Sequence, residues 1–164
     1  MLRTTLLTLI ILSAPALAHD DHRHDQDEHE HVAEAAGIRA VHAWVNATAA
    51  SEAMVYLDLE NTSDEPVTLT SASTDIASSA RIVGLSNSGG KLRFEPIQQM
   101  PIAPGTRMTF APNELAIQLK GLTQRLEEHD TFPVTLNLAG PQLEIVVEVH
   151  SATAIQHSHM GHQH

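Results

Sequence analysis

Nine of the twelve histidines of this 164-residue chain lie in two short terminal stretches. The first runs from His19 to His31 and contains His19, His22, His24, His29 and His31. The second contains His157, His159, His162 and His164, with Met160 among them. Imidazole nitrogen is the commonest protein ligand for borderline cations, and interrupted His tracts bind Cu(II), Zn(II) and Ni(II). Six carboxylates interleave the first stretch and add hard oxygen ligands. The second is uncharged apart from the chain terminus, and the Met160 thioether can also hold Cu(I). The chemistry on offer is metal capture at the chain ends. The body holds only His42, His129 and His150, of which His42 and His150 are the weaker metal candidates.

The residues before His19 read as an export signal. Met1-Leu2-Arg3 is basic, Leu6 to Leu12 is apolar, and Ala16-Leu17-Ala18 supplies a small-x-small cleavage site. Cleavage after Ala18 places the protein in a bacterial periplasm or outside the cell, and leaves His19 as the first residue. Its α-amino nitrogen and Nδ1 can then chelate together, and a further imidazole from His22 or His24 completes a planar histidine brace suited to Cu(II). The alternative is looser chelation by several tail imidazoles. No cysteine follows the apolar run, an expectation against a lipid-anchored form, and no second apolar stretch is long enough to span a membrane.

Composition narrows the rest. The formal net charge is −11, which repels nucleic acid and anionic lipid and attracts cations. There is no cysteine, so disulfides, thiolate metal sites and iron–sulfur clusters are excluded. No Ser-His-Asp arrangement, phosphate loop or zinc-protease helix is visible, and the expected role is binding rather than catalysis.

Between the ends, apolar residues recur with period two. The pattern predicts about nine short strands: 38–45, 53–60, 67–73, 80–85, 91–97, 107–110, 115–119, 132–138 and 143–149. Asn61 to Pro66, Asn87-Ser88-Gly89-Gly90, Pro101 to Gly105 and Ala139-Gly140-Pro141 are turn signals. Leu143, Ile145, Val147 and Val149 face one way, and Glu144, Val146, Glu148 and His150 the other. The expectation is an all-β Greek-key sandwich or barrel, with residues 1–18 a signal peptide, 19–37 an acidic His-rich tail, 38–150 the domain, and 151–164 a His/Met-rich tail, both tails disordered.

The order of the pieces Ala43-Trp44-Val45-Asn46-Ala47-Thr48, Val55 to Asn61, Leu69 to Thr74, Pro101-Ile102-Ala103-Pro104-Gly105 and Gln118-Leu119-Lys120-Gly121-Leu122 resembles the PCu(A)C family of periplasmic copper chaperones. The resemblance implies a cupredoxin-like β-sandwich, transfer of Cu(I) toward a copper-accepting protein such as a cytochrome oxidase assembly factor, and copper-binding terminal extensions in some members. It also places the family's His-x-Met copper ligands at Val83-Gly84-Leu85, the preceding Met near Asn61-Thr62, and a second His-x-Met at Ala116-Ile117-Gln118. None of these side chains can ligate a metal at neutral pH. The weight therefore moves to the tails: a copper chaperone or copper buffer, with a zinc-buffering accessory and a brace-type cuproenzyme as alternatives. The exported protein is expected to begin at His19, and intact-mass measurement of periplasmic material checks it; a start elsewhere removes the brace but not multi-His chelation.

Overall fold

The structure, a computed structural model, describes residues 32–155. All of its regular elements are strands: β1 (Val32–Ala35), β2 (Ile38–Asn46), β3 (Glu52–Asn61), β4 (Val67–Ser73), β5 (Ala77–Ser88), β6 (Lys91–Pro96), β7 (Met100–Ile102), β8 (Arg107–Phe110), β9 (Leu115–Leu122), β10 (Thr131–Leu138) and β11 (Gln142–His150). Alternation of apolar and polar residues makes them strands, since period two buries every second side chain on a pleated ribbon. In β11, Leu143, Ile145, Val147 and Val149 are buried, while Glu144 and Val146 are exposed.

Strands β2, β11, β10, β4, β5, β9 and β3 follow one another by pairing, and the β2–β3 ladder closes the ring. Closure removes the open edges of the central sheet, and the interior is filled by side chains, among them Ile38, Val55, Leu59, Leu69, Ile117, Leu136 and Val147. The four remaining strands fill in where ring strands part. β1 pairs β2 at residues 38–41, and β11 takes over at 44–46. β9 pairs β3 at 52–55, and β8 takes over at 57–60. β7 lies on β4, and β6 extends β5 as a hairpin arm.

Two strands differ from the sequence pattern. β1 falls within the expected tail, because Val32-Ala33-Glu34-Ala35 has little strand propensity and its turn places Ala36 at φ 52°, a conformation usually left to Asn or Gly. β7 contains Pro101, read as a turn; proline is tolerated because this strand pairs β4 on one side only. The Gly89-Gly90 turn behaves as expected, with φ of 61° and 80° and the Gly90 N–H donating to Asn87 Oδ1 at 3.1 Å.

Asn61 is the one fully buried polar side chain among the described residues. Its Nδ2 donates to the carbonyls of Glu65 (2.8 Å) and Ile102 (2.9 Å), and its Oδ1 accepts from Ser63 N (3.0 Å) and Oγ (2.7 Å). One amide thus ties the end of β3 to its following loop and to β7. Asn61→Ala is expected to cost about 3 kcal/mol in urea denaturation, because it strands the buried Ile102 carbonyl as well as deleting four hydrogen bonds. Loss of less than about 1 kcal/mol would show that the loops do not depend on it.

Candidate metal centre

The positions that the resemblance assigns to copper ligands are apolar and packed. Val83 on β5 is 1% exposed and lies opposite Ala116 of β9 in the ladder, so two of the ligand positions are cross-strand neighbours. Together with Trp44 and Tyr56 they form a second buried cluster, flanked by Met54, Phe94 and Ala154. Leu85 is half-buried and pairs Phe94. Near Asn61-Thr62, where the resemblance places the family's preceding Met, Asn61 is the structural amide described above and Thr62 is exposed, its Oγ1 donating to the Gly37 carbonyl at 3.1 Å. Where a relative would carry imidazole and thioether, this chain has a small hydrophobic core.

That cluster covers the outer face of β2 and β3. Trp44 and Tyr56 are partners in the ladder, with ring centroids 4.8 Å apart and tilted by 47°. On the other side His150 stacks on Trp44 at 5.5 Å and 25°, and its Nε2 lies 3.4 Å from Glu148 Oε2. The Asn46 amide donates to the carbonyls of Ser151 and Ala154, folding the residues after β11 back over this face. Burial raises the Tyr56 hydroxyl above its ordinary pKa. His150 is thus a half-buried residue of an aromatic stack, carried to the outer face by the alternation of β11.

His42 departs from simple alternation. Register between β2 and β3 shifts between Val41 and Trp44, and His42 sits in this bulge with φ 55°. Bulges add a residue, bend the strand and re-aim a side chain. Plain period-two alternation would put His42 and Trp44 on one face, and the bulge interrupts it. His42 instead lies near Asp58, lowering its pKa through its charge. His129 is exposed in the turn between β9 and β10. Among the described residues no group of three or more His, Asp or Glu is placed to hold a metal ion.

The terminal candidates His19, His22, His24, His29, His31, His157, His159, Met160, His162 and His164 lie outside the described residues. Their points of attachment lie within them. β3 runs along one edge of β2, so β1 and β11 share the other. Val32, just after His31, pairs Val41; His150 pairs Asn46, and Asn46 holds Ala154. Five residues of one strand, at most about 16 Å, separate the two junctions.

A closed β-barrel of this topology, with an apolar patch at Val83 and Ala116 on its outer face, is cupredoxin-like. The chain matches the model described as "Putative lipoprotein LpqE-like" over residues 38–150, and it belongs to that family. This sequence itself contains no cysteine. Among solved structures, the apo PmoF2 PCuAC domain is similar with a TM-score of 0.63 at 19% identity, covering 77% of this chain and 99% of that one. The copper-bound PCuAC domain from PmoF2 has a TM-score of 0.62 at 18% identity, covering 74% and 98%. The Cu(I) form of DR1885 from Deinococcus radiodurans gives 0.55 at 26% identity, covering 70% and 78%. No curated protein matches the sequence.

Sequence patterning did not single out the polar network on the same outer surface. Partial burial pushes the Asp58 carboxyl upward. Hydrogen bonds from Arg107 Nη2 (2.6 Å) and Thr109 Oγ1 (2.6 Å), with the charges of Arg107 and His42, outweigh it and hold the pKa below the usual carboxylate range. A lowered folded-state pKa stabilises at pH values above the unfolded pKa of about 3.9 and loses that contribution as pH falls through the folded value. Asp58→Asn is therefore expected to flatten the fall in stability below about pH 4, read from urea midpoints. An unchanged acid limb would remove Asp58 from the account.

Proposed function

We propose that this is an exported copper-binding protein, a copper chaperone or copper buffer, that captures copper mainly through its His-rich termini. One observation carries the reading: in a copper-chaperone scaffold the ligand positions are occupied by Val83, Leu85 and Ala116, while nine of twelve histidines stand in two end segments. Copper-bound forms of two structural neighbours support copper as the cargo. Both end segments attach along one edge of β2, which lets His19 to His31 and His157 to His164 serve the same ion. The tails act as nitrogen-rich captors, with His19 as the first residue of a brace if cleavage follows Ala18. Among the described residues no helix is long and apolar enough to cross a membrane. Delivery then goes to a copper-accepting protein. The carboxylates interleaved with the first stretch favour a second reading, a periplasmic zinc buffer. Metal content after native export under copper or zinc limitation separates the two.

The test is titration of the mature chain against a chain spanning residues 32–155, with competing chelators for Cu(I) and Cu(II). The cut points retain β1 and the segment held by Asn46, both part of the fold. The shortened chain is expected to bind Cu(I) weakly or not at all. The mature chain is expected to bind at least one Cu(II) through mainly nitrogen ligands, with affinity falling as pH drops through about 6.5. Tight Cu(I) binding by residues 32–155 would place the site back in the barrel and overturn the proposal.

A further inference from the structure

Seven lysines and arginines lie among the described residues, and four of them are in ion pairs: Arg39 with Glu60, Arg107 with Asp58, Lys120 with Glu52, and Arg125 with Glu127. The other three are exposed: Lys91 and Arg93 belong to the β5–β6 arm, and Arg81 lies on β5 just before it, opposite Gln118 of β9. The arm projects: β6 pairs β5 alone, a Cβ placed on Gly89 or Gly90 would touch nothing within 4 Å, and Leu92 is 67% exposed. Lys91 and Arg93 alternate on one face of β6. In a chain of net charge −11, two of the three cations without a carboxylate partner among the described residues thus stand on one projection, and the third lies at its base.

We infer that this arm is the docking surface for the acidic segment 19–31 of the same chain. That segment carries six carboxylates, Asp20, Asp21, Asp25, Asp27, Glu28 and Glu30, against Arg23 alone, and joins the fold at Val32. Its reach suffices. Its 13 residues span up to about 43 Å when extended, whereas β1 and β6 are separated by five inter-strand steps across β2, β3, β9 and β5, about 24 Å. Tethering decides the occupant. An exposed ion-pair contact is weak between separate molecules, but a short covalent tether raises the effective concentration into the millimolar range. A second copy at micromolar concentration cannot compete with that. The contact also bears on the copper reading, on which this one consequence rests. A divalent cation held by His19 to His31 offsets two of the segment's charges and weakens its hold on the arm.

The test uses the metal-free mature chain, so its result stands apart from whether copper binds. The absence of native cysteine allows a single nitroxide on Ser88→Cys at the arm tip. Amide signals of residues 19–31 are expected to lose at least half their intensity at about 20 mM salt. They should recover near 0.5 M, where the screening length falls to a few ångströms. In the Lys91→Glu, Arg93→Glu background the loss is expected to vanish, with the barrel spectrum unchanged. No intensity loss, or equal loss in the charge-reversed variant, would overturn the inference. So would broadening that passes to isotope-labelled copies lacking the nitroxide in a mixed sample, since a second copy would then be the occupant.

Discussion

A β-strand has two edges, and β2 has three partners. β3 holds one edge along its length, so β1 and β11 must divide the other, and the strand needs a place to change partner. The bulge at His42 is that place. The extra residue, held in a left-handed backbone conformation, turns the strand so that its second half enters the ring while its first half pairs β1. Ring closure, the outward placement of Trp44 and the attachment of both chain ends all follow from this one irregularity. A non-glycine residue at φ 55° carries a local cost, and the ladders on either side sustain it.

The same outer face is packed where the family resemblance places metal ligands. Imidazole and thioether on adjacent strands would have to stand partly open to exchange an ion. Val83 and Ala116 instead let Trp44 and Tyr56 close over the site, and the lost polarity becomes packing. Asn61 adds a buried polar tie at the end of β3. Its two donors and one acceptor join the loop at residues 63–65 to β7, which fixes the end of the barrel.

Much of this was legible in the residues themselves. Period-two alternation marks nine of the eleven strands, and the inward set of β11 follows from alternation alone. β1 and β7 escape it for opposite reasons: one has bland residues and an Ala where a turn usually takes Asn or Gly, and the other carries a proline that reads as punctuation. The order of segments such as Ala43 to Thr48 and Val55 to Asn61 points to the family, and the family match covers that same stretch. What stayed hidden is everything that depends on side chains meeting across strands. The stack of His150 on Trp44, the hold of Arg107 and Thr109 on Asp58, and the placing of Lys91 and Arg93 together on one arm need register and burial, which single-strand patterns do not contain. The bulge at His42 is hidden likewise, because a one-residue insertion leaves no mark in an apolar run.

The shared edge of β2 also bears on chain connectivity. Because entry and exit flank one strand, a short polar bridge from residue 155 to residue 32 would close the polypeptide without crossing the barrel, and the chain could be reopened at Gly89-Gly90. Every ladder of the ring would survive such a circular permutation, while β5 and β6 would each become a terminus. The linear order of this fold is thus one cut among several that the same set of strand pairings admits.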